Sequence, residues 1–279
     1  MSAIARWSLD ELRARYELEP ELDDLYVEGT LDREILAQAA KPAARLLAIY
    51  EVDCVELPSE VLSRHGLTSG NKQRVIALSR ELSSLPASAR VKCLADRDLD
   101  HWFGPLEEDT RLKWTAFCSI ESHYLVSAHI NDLLVTTGRA KIKRLESLVD
   151  SLHTVLKHLY ALRLADRQLG LSLAWPSFRK YLSSAPDVVS FDSAKYTTAL
   201  LTSCGKAKHR QDFERAYANW LGKFTCDVRL AARGHDLTEL LAWALSEFSG
   251  HREFASPKAI ERLFVLLARS VDTLRSELQ

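Results

Sequence analysis

Val91–Asp100, VKCLADRDLD, is the stretch on which the reading of this chain turns. Its apolar start has the make-up of a buried strand, and the strand runs into three aspartates at alternate positions, Asp96, Asp98 and Asp100. Alternate residues of an extended backbone share a face, so three like charges there repel one another unless a cation lies among them. A hard divalent cation, Mg²⁺ or Mn²⁺, meets that need, because it takes carboxylate oxygens and commonly brings phosphate with it. The plainer alternative is an acidic turn, a common place for aspartate.

Upstream, Asp24–Glu28 (DLYVE) reads as a short strand closed by Gly29, and residues 1–22 as an amphipathic helix with Trp7, Leu12 and Tyr16 on its apolar side. LDREILAQAAKPAARLLAIY, residues 31–50, reads as helical with a break or kink at Pro42. Val52–Leu57 is the second expected strand, KQRVIALSRELSSL (72–85) the next helix, and Leu112–Ser119 the fourth strand. Strands alternating with helices at this spacing imply βαβ units and a mainly parallel sheet. Beyond Glu121 the period changes. In Lys141–Leu169, Leu145, Leu148, Leu152, Val155, Leu156 and Leu159 recur at helical spacing, and 194–204, 212–224, 237–248 and 257–278 read as further helices. The expected architecture is therefore α/β: a mainly parallel sheet flanked by helices over 1–125, then an all-helical region over 126–279 packed against it.

Composition bounds the partners. The chain has 279 residues, 47% hydrophobic and 27% charged, as expected for a globular protein. No apolar run reaches the 18 or more residues of a membrane span, the first 21 residues lack the apolar stretch of a secretory signal, and the five cysteines show no paired spacing. A cytoplasmic protein is expected. The net charge of −1 conceals an asymmetry: residues 1–130 carry 22 acidic and 15 basic side chains, the remainder 16 and 22. One half suits cations and the other a polyanion. GxxxxGK[ST], GxGxxG, HExxH and GxSxG are all missing, so an ATP-hydrolysing P-loop is not in this sequence.

Ligands of an open α/β sheet bind beyond the carboxyl ends of its strands. Glu28, the aspartate run and Glu121 all follow expected strands, and Asp32 either reaches the same space or caps the following helix. LYVEGTLDREIL and CLADRDLD, some 65 residues apart, together resemble the TOPRIM fold: a strand ending in Glu-Gly, then one ending in Asp-x-Asp. FCSIESHYL is similar to an element of the DUF4435 family, TOPRIM proteins with a helical carboxyl-terminal region. The likeness covers residues 20–130 and reaches the remainder by architecture alone. It implies a divalent-metal-dependent nuclease with Glu28, Asp96, Asp98 and Glu121 as catalytic residues and Glu28, Asp96, Asp98 and Asp100 as metal ligands. It further implies a toxic effector of anti-phage defence that cleaves RNA, tRNA in that subgroup, under an ABC-type ATPase partner. The alternatives are a non-catalytic TOPRIM module docked on an ATPase, or another Asp-x-Asp metal enzyme such as a nucleotide-sugar transferase. No lysine or arginine is tied to the pattern in sequence; Arg97, between two aspartates, points the other way on an extended chain.

Two basic clusters suit phosphate contacts: Arg139, Lys141, Lys143 and Arg144, then Lys206, Lys208, His209 and Arg210. They serve equally as solvated helix faces. His101, His123 and His129 read as packed or surface residues before ligands, Asp236 as a helix cap, and the tryptophans as core, with Trp102 beside the acidic run set apart. The apolar helices leave room for a homodimer.

Overall fold

The computed structural model describes residues 6–40 and 47–278, so Pro42 and the first five residues of the expected amino-terminal helix lie outside the described residues. The chain divides into two compact units, Met1–Ile120 together with Phe264–Gln279, and Glu121–Leu263. The division falls at residue 120 rather than 125, and the carboxyl terminus belongs with the sheet rather than with the helices.

In the first unit Ser8 opens helix α1, Leu9–Leu18, with a reciprocal cap: the Glu11 amide donates to the Ser8 hydroxyl and the Ser8 amide to the Glu11 carboxylate. There follow β1 (Asp23–Val27), α2 (Thr30–Ala39), β2 (Leu47–Glu51), α3 (Ser59–Arg64), α4 (Asn71–Glu81), β3 (Arg90–Ala95) and β4 (Leu112–Trp114). The four strands form one parallel sheet in the order β2-β1-β3-β4. Leu12, Tyr16, Tyr26, Val75, Leu78, Val91 and Cys93 are fully buried and form the core of this unit. The tyrosine hydroxyls inside it are partnered: that of Tyr16 lies 2.9 Å from that of Tyr26 and donates to Asp24 at 2.8 Å.

Two strands differ from expectation. The second is Leu47–Glu51, and Val52–Cys54 is a single 3-10 turn. As an edge strand, half-buried throughout, it lacks the alternation that marks a strand in sequence. The fourth stops at Trp114, because Thr115–Cys118 folds back to support the aspartate turn: the Arg97 amide donates to the Thr115 hydroxyl at 3.1 Å and the Asp98 amide to the Cys118 carbonyl at 2.9 Å. The carboxyl-terminal 3-10 segments Ala268–Ser270 and Asp272–Leu278 pack on α2, and Glu277 accepts the Ala116 amide at 2.7 Å.

The second unit contains α5 (Ser127–Ile130), α6 (Leu145–Leu169), α7 (Ser193–Ser203), α8 (Arg210–Leu221) and α9 (Gly234–Glu247), and most of α10 (Pro257–Leu267). The apolar stripe of α6 is buried as its spacing predicts, and Gly170, at φ 60°, ends the helix. The region is not all-helical. Leu182–Ala185 (β5) and Val188–Phe191 (β6) pair as an antiparallel hairpin whose turn holds Asp187 at φ 59°. The Asp187 carboxylate accepts the amides of Lys143 and Arg144 at 3.0 and 3.1 Å, and β6 packs against α6. Among the described residues no helix is long and apolar enough to cross a membrane.

Candidate functional site at the carboxyl rim of the sheet

The chain leaves β1 toward β2 on one side, then returns to β3 on the other. The order of connection therefore reverses between β1 and β3, and the crevice beyond their carboxyl ends is where open α/β sheets bind ligands. Glu28 is the first residue after β1 and Asp96 the first after β3. They meet there: a Glu28 carboxylate oxygen accepts the Asp96 amide at 2.9 Å.

Beyond Asp96 the backbone does not stay extended. The Asp100 amide donates to the Arg97 carbonyl at 2.9 Å, closing a turn with Asp98 at φ 41°. That left-handed conformation is one that aspartate tolerates better than most side chains. Arg97 turns away to the Thr115 carbonyl, held there by the turn and not by strand alternation. Asp98 and Asp100 point to one cation, and it belongs to the protein. Lys72 Nζ lies 3.0 Å from Asp98 and 2.6 Å from Asp100, and 5.7 Å from the centre of the Trp114 ring.

Lys72 reaches this place through the geometry at the start of α4. Gly70, at φ 126° and ψ 151°, takes a conformation that only glycine adopts readily, and the Asn71 side chain donates to the Glu28 carbonyl at 2.8 Å. A cation in the first turn of a helix opposes the helix dipole; two carboxylates outweigh that cost. Burial works to lower the pKa of the ammonium, but Asp98 and Asp100 more than offset it and raise the pKa overall. Sequence reasoning missed Lys72 because 24 residues separate it from Asp96. The glycine before an Asn-Lys helix start was the one available signal. It also missed Glu51, which ends β2 opposite Val27 and pairs with Arg33 at 3.1 Å and the Thr30 hydroxyl at 2.9 Å.

The other expected residues take other roles. Asp32 caps α2 by accepting the Gly29 amide at 3.0 Å. His101 and Trp102 lie in a 3-10 turn after the aspartates, their rings 5.4 Å apart. Glu121 belongs to the second unit, packed against the amino end of α9 so closely that a Cβ at Gly234 would fall 2.2 Å from its carboxylate. Asp236 is no cap: buried, it holds the Arg163 guanidinium through two bonds of 2.8 and 2.6 Å. His123 is buried in the second unit, and His129 lies edge-on to Tyr124. All eight residues of the two basic clusters lie in the second unit, His209 half-buried. Arg139, Lys141, Lys143 and Lys208 are exposed and Lys206 is half-buried, while Arg144 pairs with Asp187 at 3.7 Å and Arg210 with Glu214 at 2.7 Å.

Among the described residues no three His, Cys, Asp or Glu side chains converge as a ready-made metal cage. The donors at the rim are nevertheless of the kind that Mg²⁺ takes, and Mg²⁺ commonly uses one or two carboxylates, completing its shell with water and substrate phosphate. Glu28 and Asp96 fit that description. Asp98 and Asp100 are joined to the Lys72 ammonium. Compared with known proteins, the chain matches no protein-family model and no curated protein.

Proposed function

We propose that this protein is a divalent-metal-dependent nuclease whose reaction centre is the carboxyl rim between β1 and β3. The observation that carries this reading is the bond from the Asp96 backbone amide to the Glu28 carboxylate at the switch point of the sheet, two residues before Asp98, which holds Lys72. Glu28 and Asp96 would hold Mg²⁺ or Mn²⁺, and the chemistry the ion would supply is neutralisation of phosphate charge. Lys72 stands where a polyanionic backbone would arrive. Asp98 and Asp100 position the lysine. RNA is the favoured substrate, tRNA by resemblance, and control by an ABC-type ATPase in a defence system rests on the same resemblance.

The test is incubation of the purified chain with total tRNA, plasmid and single-stranded DNA in Mg²⁺ and in Mn²⁺. Metal-dependent cleavage is expected, lost in Glu28→Gln and in Asp96→Asn, each folded by circular dichroism. Intact nucleic acid in every lane, or full activity in both variants, overturns the reading.

A second reading has one observation of its own. Because Lys72 engages both Asp98 and Asp100, part of the charge of the acidic turn is offset without any metal, as suits a non-catalytic module docked on an ATPase. Calorimetric titration with Mn²⁺ separates the two: saturable heat lost in Asp96→Asn supports the nuclease, and no heat supports the docking module.

A further inference from the structure

Val271, Leu274 and Glu277 follow one another at three-residue intervals, the period of the 3-10 helix formed by Asp272–Leu278, and all three are buried. The first two are apolar, as an inward face requires. The third is a glutamate, only 1% exposed. A carboxylate is rarely buried so fully unless it is bonded. Here a backbone amide supplies the bond, since Glu277 accepts from Ala116 at 2.7 Å. A second tie lies beside it, where the Lys113 ammonium of β4 donates to the Ser276 carbonyl. Because β4 is so short, Glu277 and Leu278 also wall a cavity of about 470 Å³ before it, among the amino ends of the strands, together with Arg111.

Ala116 belongs to Thr115–Cys118, and the other side of that segment carries the acidic turn. The Arg97 amide donates to the Thr115 hydroxyl at 3.1 Å, and that hydroxyl donates to the Phe117 carbonyl at 2.8 Å. The Asp98 amide donates to the Cys118 carbonyl at 2.9 Å, and the Cys118 thiol returns a bond to the Asp98 carbonyl at 3.6 Å. Residues outside any strand or helix have no ladder of their own, so cross bonds of this kind are what fix them. Thr115–Cys118 is therefore held from two sides: by the turn that aims Asp98 at Lys72, and by the tail.

We propose that the carboxyl-terminal segment Asp272–Leu278 is a strap that locks the acidic turn from behind, with Glu277 as its positioning residue. Displacing the strap frees Thr115–Cys118 on its outer side and opens the Asp98 turn to local motion. This holds whatever chemistry the rim performs. The experiment reads no cleavage, so its outcome is separate from that of the nuclease reading.

The full chain, labelled with nitrogen-15, is followed by amide hydrogen exchange. In Glu277→Ala the Arg97 and Asp98 amides should exchange about tenfold faster or more, while the β1 amides keep their rates. Glu277→Gln retains an acceptor oxygen for Ala116 and should stay near wild type. Ser8→Ala, which removes the α1 cap in the same unit without touching the tail, should leave Arg97 and Asp98 unchanged relative to β1. Lys113→Met cuts the Ser276 tie and spares the buried carboxylate; it should speed the same two amides by less, and it carries the test if Glu277→Ala does not fold. Unchanged Arg97 and Asp98 rates, an equal acceleration throughout β1, or the same acceleration in Glu277→Gln or Ser8→Ala would each overturn the proposal.

Discussion

The two ends of one parallel sheet handle charge in opposite ways. At the carboxyl end, acids crowd the switch point, and the chain answers with its own cation: Lys72 sits between Asp98 and Asp100. At the amino end a buried cation, Arg111, has only carbonyl oxygens for partners and keeps one donor unused. The first end offsets part of its acidic charge with a cation of its own, and at the second the partners of the guanidinium are carbonyl dipoles. Acidic residues in a crevice are therefore weaker pointers to an ion than they look in sequence, and a well-bonded arginine can still be short of a counter-charge.

The largest expected effect is on the amino end. Arg111→Ala leaves several buried carbonyls without a donor and should lower stability by about 3–4 kcal/mol. In a protein of this size that moves the thermal midpoint on the order of 10 °C. A shift of a degree or two would mean that the carbonyls find other donors, and the contrast between the two ends would lose its basis.

Lys72→Met tests the carboxyl end and should cost about 2 kcal/mol, since it leaves two neighbouring carboxylates without their cation. The folded-state pKa of Lys72 lies above the ordinary 10.5, so its contribution is fully present below pH 10.5 and disappears as pH rises through the higher folded value. The gap between wild type and Lys72→Met in urea melts should hold from pH 6 to pH 9 and narrow above 10.5. A gap that closes near neutrality contradicts a paired ammonium.

Asp98 separates backbone from charge. Asp98→Asn and Asp98→Ala both remove one carboxylate from Lys72, but asparagine accepts φ 41° and alanine does not. Alanine should cost about 1 kcal/mol more. Equal melting temperatures would show that the turn relaxes when the lysine loses its partner.

The smallest effect belongs to Asp24. Burial raises its pKa above the ordinary 3.8, outweighing the Tyr16 hydroxyl and Arg15. A raised carboxyl pKa favours the folded state most fully below 3.8, and that advantage is lost as pH climbs through the higher folded value. Asp24→Asn should remove this part of the slope of stability against pH, and an unchanged slope would contradict it.

Much of the frame is legible in residue order. DLYVE and VKCLA announce β1 and β3 because parallel strands buried on both faces are apolar runs with abrupt polar ends, and the stripe of α6 is plain in its leucines. β2 is misread, since LLAIY continues the helical spacing before it and no alternation marks an edge strand that is half-buried along its length. The hairpin β5–β6 is too short to show a period, and its turn depends on one aspartate in a left-handed conformation. At the rim, Glu28 and the aspartates are readable as strand ends; their meeting is expected from topology. Lys72 is not readable, because a helix start names no partner, and the cavity at the other end is not, because its walls come from the beginnings of three strands, the residues before β4 and the carboxyl terminus.

What the order of residues determined by itself was which segments bury, where strands stop, and which acids stand at their ends; these follow from local hydrophobic pattern and the reach of neighbouring side chains. Which acid faces which cation was decided only when the parallel crossovers brought α4 over β3 and the carboxyl terminus onto α2. Charge pairing depends on distances of a few ångströms between residues far apart in the chain, and the hydrophobic effect that folds them together carries no directional information about them.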